Sequence, residues 1–279
     1  MPVQTNADIT AGLVQVLRGK FLAEFAITHD EFDSRDIDNI RNSDVIIRRY
    51  LEYKNGSIEE SLKMLTTAMK WRKSFGVNDL KECSFPREYY QTGGLFTYGT
   101  DLNGARLIIF RVMCNKKITV WTEQLKKFIV YLIENESIKI ANNECPGVCI
   151  VFDCNGAGIS NVDTDLLSFI VHSFQDYYPM VLQSVIIHEL PFLLNYVFKL
   201  VLSWLPKDHR EVFHSVKKDD INQYIASDQL PDFMDGTNEM PYKLYPKSAL
   251  TAHELAPQIG INDKDVEKLI QHVQQFIDK

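Results

Sequence analysis

No run of apolar residues in this chain reaches the roughly 18–20 that a helix needs to cross a bilayer. The nearest approach, Val181 to Pro206, is broken by Gln183, His188, Glu189, Asn195 and Lys199, and reads as a strand followed by a helix. Positive charge is also in short supply. Lys and Arg number 30 against 37 Asp and Glu, a net charge of −7. That deficit argues against nucleic acid as a partner, because neutralising phosphates needs clustered cations. It equally argues against strong attraction to anionic lipid by charge alone. Cysteines are few and odd in number, five in 279 residues, which argues against a disulfide framework. The opening MPVQTNADIT has neither a basic nor an apolar stretch, so no secretory signal is expected. The expected location is the cytoplasm.

Catalytic signatures are missing too. There is no G-x-S-x-G elbow and no H-E-x-x-H. Gly156-Ala157-Gly158 sits between a predicted strand and a helix, where a dinucleotide fingerprint belongs, but Asn161 stands in place of the third glycine. A plain strand-to-helix loop using glycine's backbone freedom is the better reading. Cys145, Cys149 and Cys154 are close in sequence, yet no histidine is near them, and buried inert thiols are expected rather than a metal site. His188 beside Glu189 at a strand end could serve as a base, although a hydrogen-bonded structural histidine is commoner. The expectation is therefore no catalytic residues, no metal and no cofactor.

What the chain does contain is a change of pattern. Leu13, Leu17, Phe21 and Phe25 recur every four residues, Ser43 can cap a helix through Leu51, and Ser57 with Glu60 forms a capping box before a third helix. Lys70, Arg72 and Lys73 followed by Gly76 end that helix. Beyond Gly93, strand-like segments Leu95–Tyr98, Arg106–Val112, Val148–Asp153, Ser184–His188 and Val212–Val216 alternate with helical ones. The alternation implies βαβ units and a mainly parallel sheet. A last amphipathic helix carries Val266, Leu269, Ile270, Val273 and Ile277. The divisions predicted are a helical subdomain over 1–80, an α/β domain over 81–240 and a C-terminal extension over 241–279.

Pro191 to Leu205, PFLLNYVFKLVLSWL, has a single charge, Lys199. A helix apolar on every side is either a central core helix or a wall between an apolar cavity and lipid. The second reading suits a carrier. Each buried methylene contributes about 0.8 kcal/mol, so a 16-carbon chain gains roughly 13 kcal/mol over water. Release into water would be very slow, and release into a bilayer easy.

The segments KWRKSFGVNDL, DLNGARLIIFRV, VCIVFDCNGAGIS, YYPMVLQSVIIHELPFLL and LPDFMDGT, in this order over about Asp44 to Thr237, resemble the Sec14-like, or CRAL-TRIO, family. KMLTTAMKWRK and VNDL are most similar to the CRAL-TRIO part of motile sperm domain-containing proteins. The resemblance implies an α/β fold with a mixed, mainly parallel sheet flooring an apolar pocket, closed by a gate helix at Pro191–Leu205. It implies a non-enzymatic protein that binds a phospholipid or another hydrophobic molecule and exchanges it at membrane surfaces, in peripheral contact with the endoplasmic reticulum or another organelle membrane. A scaffold with a vestigial pocket, binding an unidentified protein partner, is the alternative. Phosphoinositide-handling members carry Glu just after YYP and Lys or Arg beyond the gate. Met180 and Val212 stand at those places here, so phosphatidylinositol is not the expected main ligand. Of the two hydroxyl positions that follow the DxxG strand in the family, one is Gly158 and the other Ser160. The expected pocket lining is Phe110, Val151, Phe169, Phe192, Leu193, Val197 and Phe198, the first two fixed by alternation only to within one position. Ser160 and Tyr131 are the expected headgroup contacts, and Leu200, Leu202 and Trp204 the expected membrane-facing residues. The motile sperm relatives continue into an MSP domain and a membrane anchor. This chain is expected to be either a standalone relative or a piece of such a protein.

Overall fold

A computed structural model describes residues 8–278. Most of the opening segment considered above for a secretory signal, residues 1–7, lies outside them. Four helices come first: α1 (Ala11–Ile27), α2 (Ser34–Asn42), α3 (Asp44–Tyr53) and α4 (Ile58–Phe75). Each starts where a side-chain oxygen, of Thr10, Asp33, Ser43 or Ser57, accepts an otherwise orphaned amide. Helix α4 stops at Gly76, whose φ of 75° suits glycine best. The four pack around Leu17, Phe21, Ile37, Ile47 and Leu65, a core of their own.

The short helix α5 (Arg87–Gln91) leads into the sheet, formed by β1 (Leu95–Thr100), β2 (Arg106–Arg111), β3 (Val148–Asp153), β4 (Leu182–His188) and β5 (Phe213–Val216). Strand order follows chain order, β1 antiparallel to β2 and the others parallel. The parallel connections run through α6 (Thr122–Ala141), α7 (Thr164–His172) and α8 (Asn195–Ser203). Right-handed crossovers that always step the same way place their helices on the same face of the sheet. All three do pack on one face, with Ile108, Phe110, Ile150, Val185 and Ile187. The other face, with Leu107, Ile109, Cys149, Val151 and Ile186, is covered by the irregular stretch 217–242 through Ile221, Ile225, Leu230 and Met234. The helices α9 (Ala252–Leu255) and α10 (Asp263–Ile277) return to the helical side.

Arg72 joins the two halves. Its Nε donates to Asp36 Oδ1 at 2.9 Å, and its two terminal nitrogens donate to the Glu134 carboxylate of α6 at 2.7 and 2.8 Å. The Tyr178 hydroxyl donates to the same carboxylate at 2.9 Å. Burial would push the Glu134 carboxyl up, but the Arg72 guanidinium and the Tyr178 hydroxyl outweigh it and hold the group below its ordinary range.

Candidate ligand cavity

Between the helical face of the sheet and α7 and α8 lies a cavity of about 930 Å³, its mouth included. The floor is Phe110, Ile150, Phe152, Val185 and Ile187, every second residue of three adjacent strands. The walls are Leu166, Ile170 and Phe174 from α7 and its extension, and Leu194, Val197, Phe198 and Val201 from α8 and the turn before it. Of the 23 lining residues, only Asn115, Asn161 and Asp163 are polar, and all three are engaged. Asn115 donates to the Asn161 carbonyl at 2.8 Å, Asn161 donates to the Met113 and Asn115 carbonyls at 3.0 and 2.9 Å, and Asp163 caps α7. A guest therefore meets satisfied polar groups and otherwise hydrocarbon, and nothing in the lining calls for a charged one.

Three of the residues expected to line the cavity do so: Phe110, Val197 and Phe198. The others are placed elsewhere. Val151 is on the covered face, because Phe110 pairs with Phe152 and Val151 with Ile109, so Phe110 and Val151 cannot share a side. Phe169 stacks on Phe75 with centroids 5.9 Å apart and belongs to the contact with α4. Tyr131 packs against Phe85 at 5.3 Å and is not among the lining residues. Ser160 is exposed in the turn before α7. Phe192 and Leu193 point to solvent, 87% and 64% exposed.

The gate is also turned relative to expectation. Pro191 starts a 3-10 turn, Phe192–Leu194, which runs into α8. This entry sets the rotation so that Leu194, Val197, Phe198 and Val201 face in. Phe192, Leu193, Tyr196 and Leu200 face out, the last two 56% and 39% exposed. Leu200 is thus on the outer side. Leu202 and Trp204 are instead half-buried against the main core. Ile159, 57% exposed, adds a further apolar side chain to the surface.

The alternative chemistries find no assembled site. His188 is buried, with Nδ1 3.1 Å from Asp153 Oδ1, on the sheet face opposite the cavity. Glu189 turns away at φ 51° and accepts from the Lys218 amide at 2.8 Å, so the two adjacent residues do not act on one point. Burial pushes the Cys149 and Cys154 thiols up to about 12, leaving them unreactive. No three His, Cys, Asp or Glu side chains among the described residues are grouped to hold a metal. The glycine loop closes on itself, Gly158 N donating to Asn161 Oδ1 at 2.8 Å, so that amide is not free for a phosphate. No helix among the described residues is long and apolar enough to cross a membrane.

Comparison with known proteins gives a consistent picture. The profile of the CRAL/TRIO domain matches residues 90–236, more than half of the chain. A CRAL-TRIO domain-containing protein of Schizosaccharomyces pombe is 26% identical over 222 residues, covering 76% of this chain and 49% of that protein. A phosphatidylinositol transfer protein of Eremothecium gossypii is 20% identical over 210 residues, 70% of this chain and 48% of that one. The Sec14 cytosolic factor of S. pombe is 25% identical over 224 residues, 72% and 77% of the two chains. The chain thus spans about half the length of the first two relatives. The crystal structure of Sfh5 superposes with a TM-score of 0.62 at 12% identity, covering 98% of this chain and 100% of that one.

Proposed function

The chain belongs to the CRAL/TRIO domain family, and from that premise we propose that it carries one hydrophobic molecule in the cavity and exchanges it at a membrane surface, without catalysis. The observation that carries this reading is the two-sided gate. One side of the α8 segment contributes four residues to an almost wholly apolar cavity, and the other leaves Phe192, Leu193, Tyr196 and Leu200 facing water. A soluble domain gains nothing from exposing such a stripe, and contiguous exposed apolar surface commonly marks an interaction site. A bilayer covers the outer side chains and receives the ligand from the inner ones in the same step. Charge contributes little, since the chain is acidic and the stripe carries only Lys199. One of the relatives is named as a phosphatidylinositol transfer protein, which supports transfer as the activity. The engaged polar groups of the lining support a ligand whose buried part is uncharged.

Native mass spectrometry of the purified protein, followed by extraction and identification of the bound molecule, tests the reading. One hydrophobic molecule per chain is expected. A protein that is empty and also takes up no fluorescent lipid from liposomes refutes it.

A further inference from the structure

The cavity has a neighbour. A second hollow of about 680 Å³, its open part included, lies between the start of α6, the ends of β1 and β2, and α10. Leu95, Ile118, Leu125, Leu269 and Val273 give it apolar walls. Arg111 and the exposed Lys116 also border it, and two further polar groups are engaged: Thr92 donates to the Tyr89 carbonyl at 2.9 Å, and His272 Nε2 is 2.8 Å from the Cys114 carbonyl. The two hollows share three lining residues, Phe110, Asn115 and Asp163. Asn115 and Asp163 are held by the hydrogen bonds described above. The Phe110 ring has no such tether. It packs by van der Waals contact, its centroid 5.7 Å from that of Phe152, and rotation about its side-chain bonds is the least costly way to connect the two spaces. The far wall is firmly seated. The Trp121 indole donates to the Asp265 carbonyl at 3.0 Å, and Lys243 Nζ donates to the Phe276 carbonyl at 2.7 Å.

We propose that the second hollow is an extension of the ligand cavity, with Phe110 as the internal partition and α10 as the end wall, so that the C-terminal helix sets the longest ligand accepted. This rests on the carrier reading above. Helix α10 lies beyond residues 90–236, so the length limit is imposed from outside the part of the chain that matches the family profile.

The test displaces cis-parinaric acid with a series of saturated fatty alcohols of about 12 to 22 carbons, using the whole chain. In the unsubstituted protein, affinity should rise about fourfold per methylene, the equivalent of ~0.8 kcal/mol, up to a limiting length. Val273→Phe should shorten that limit, so that the longest alcohols bind about tenfold more weakly while the shortest are unchanged. Phe110→Leu should move the limit the other way, and a thermal unfolding scan shows whether each variant is folded. An identical limit in the unsubstituted protein and in the folded variants overturns the extension while leaving the carrier reading intact. If the unsubstituted protein binds neither parinaric acid nor any alcohol, both fall together.

Discussion

The two faces of the five-stranded sheet are built from nearly the same residues and end in opposite states. On β4, Ile186 and Ile187 are neighbours with identical side chains, 1% and 8% exposed. Ile186 faces the stretch 217–242, an irregular chain that can follow every bump of the sheet. It brings backbone against strand at Gly99, where an added Cβ would stand 2.6 Å from the Gln229 carbonyl oxygen. Ile187 faces helices, which are stiff rods and touch a twisted sheet along limited stripes. Where α7 and α8 cannot follow the sheet, space remains, and it is apolar because the strands beneath it are. The cavity follows from covering one face with helices and the other with coil, more than from any special residue in its floor.

The largest expected effect tests this contrast directly. Ile186→Ala should cost about 4 kcal/mol, near the upper end for a fully packed site, because every contact of the lost atoms is forfeited. Ile187→Ala should cost about 2 kcal/mol, since part of its surface already borders empty space, yet it should be the variant that alters ligand affinity. Urea unfolding of the two side by side measures the difference. Equal losses would mean that the cavity is closed up in solution.

A smaller effect comes from adding atoms rather than removing them. Gly99→Ala pushes a methyl into the Gln229 backbone and should cost about 2 kcal/mol, in the range for overpacking. Gly158→Ala, at the loop beside the cavity, meets nothing closer than the Asn161 Oδ1 at 4.0 Å and should stay within about 0.5 kcal/mol. A similar cost at both positions would show that the coil cover is no tighter than the loop.

The parts of this architecture legible in the sequence are those written in local pattern. All five strands are short apolar runs, and most of the helices between them announce themselves by a cap or a periodic stripe. Helix α2 escaped because it has only Ile37 and Ile40 among charged residues. Its signal was polar, the Asp33 cap. The gate was legible as a segment but not in its rotation. When almost every side chain in PFLLNYVFKLVLSWL is apolar, every rotation of the helix looks alike, and the 3-10 entry turn that decides it leaves no mark. Val151 lies one residue off the floor, and a strand covered on both faces shows no alternation from which that could be read. The hollow beside α10 was beyond reach, since it exists only where residues 144 apart, Trp121 and Asp265, meet.

The smallest effect on stability separates the two sides of the gate. Phe192→Asp with Leu193→Asp places charge where the side chains are already in water, so the unfolding free energy should change by no more than about 0.5 kcal/mol. Leu202→Asp with Trp204→Asp puts charge into half-buried contacts of the main core and should cost about 3 kcal/mol or more. Co-sedimentation with neutral phosphatidylcholine vesicles removes the contribution of surface charge. In that assay the outer pair should lose at least tenfold in binding at full stability. The inner pair, where still folded, should bind as the unsubstituted chain does. If the outer pair binds vesicles unchanged, the stripe of Phe192, Leu193, Tyr196 and Leu200 does not face the membrane, and the ligand must leave past another element of the cavity wall. The helix would then be a cover for the cavity on one side only, and its exposed side chains would need a different partner to account for them.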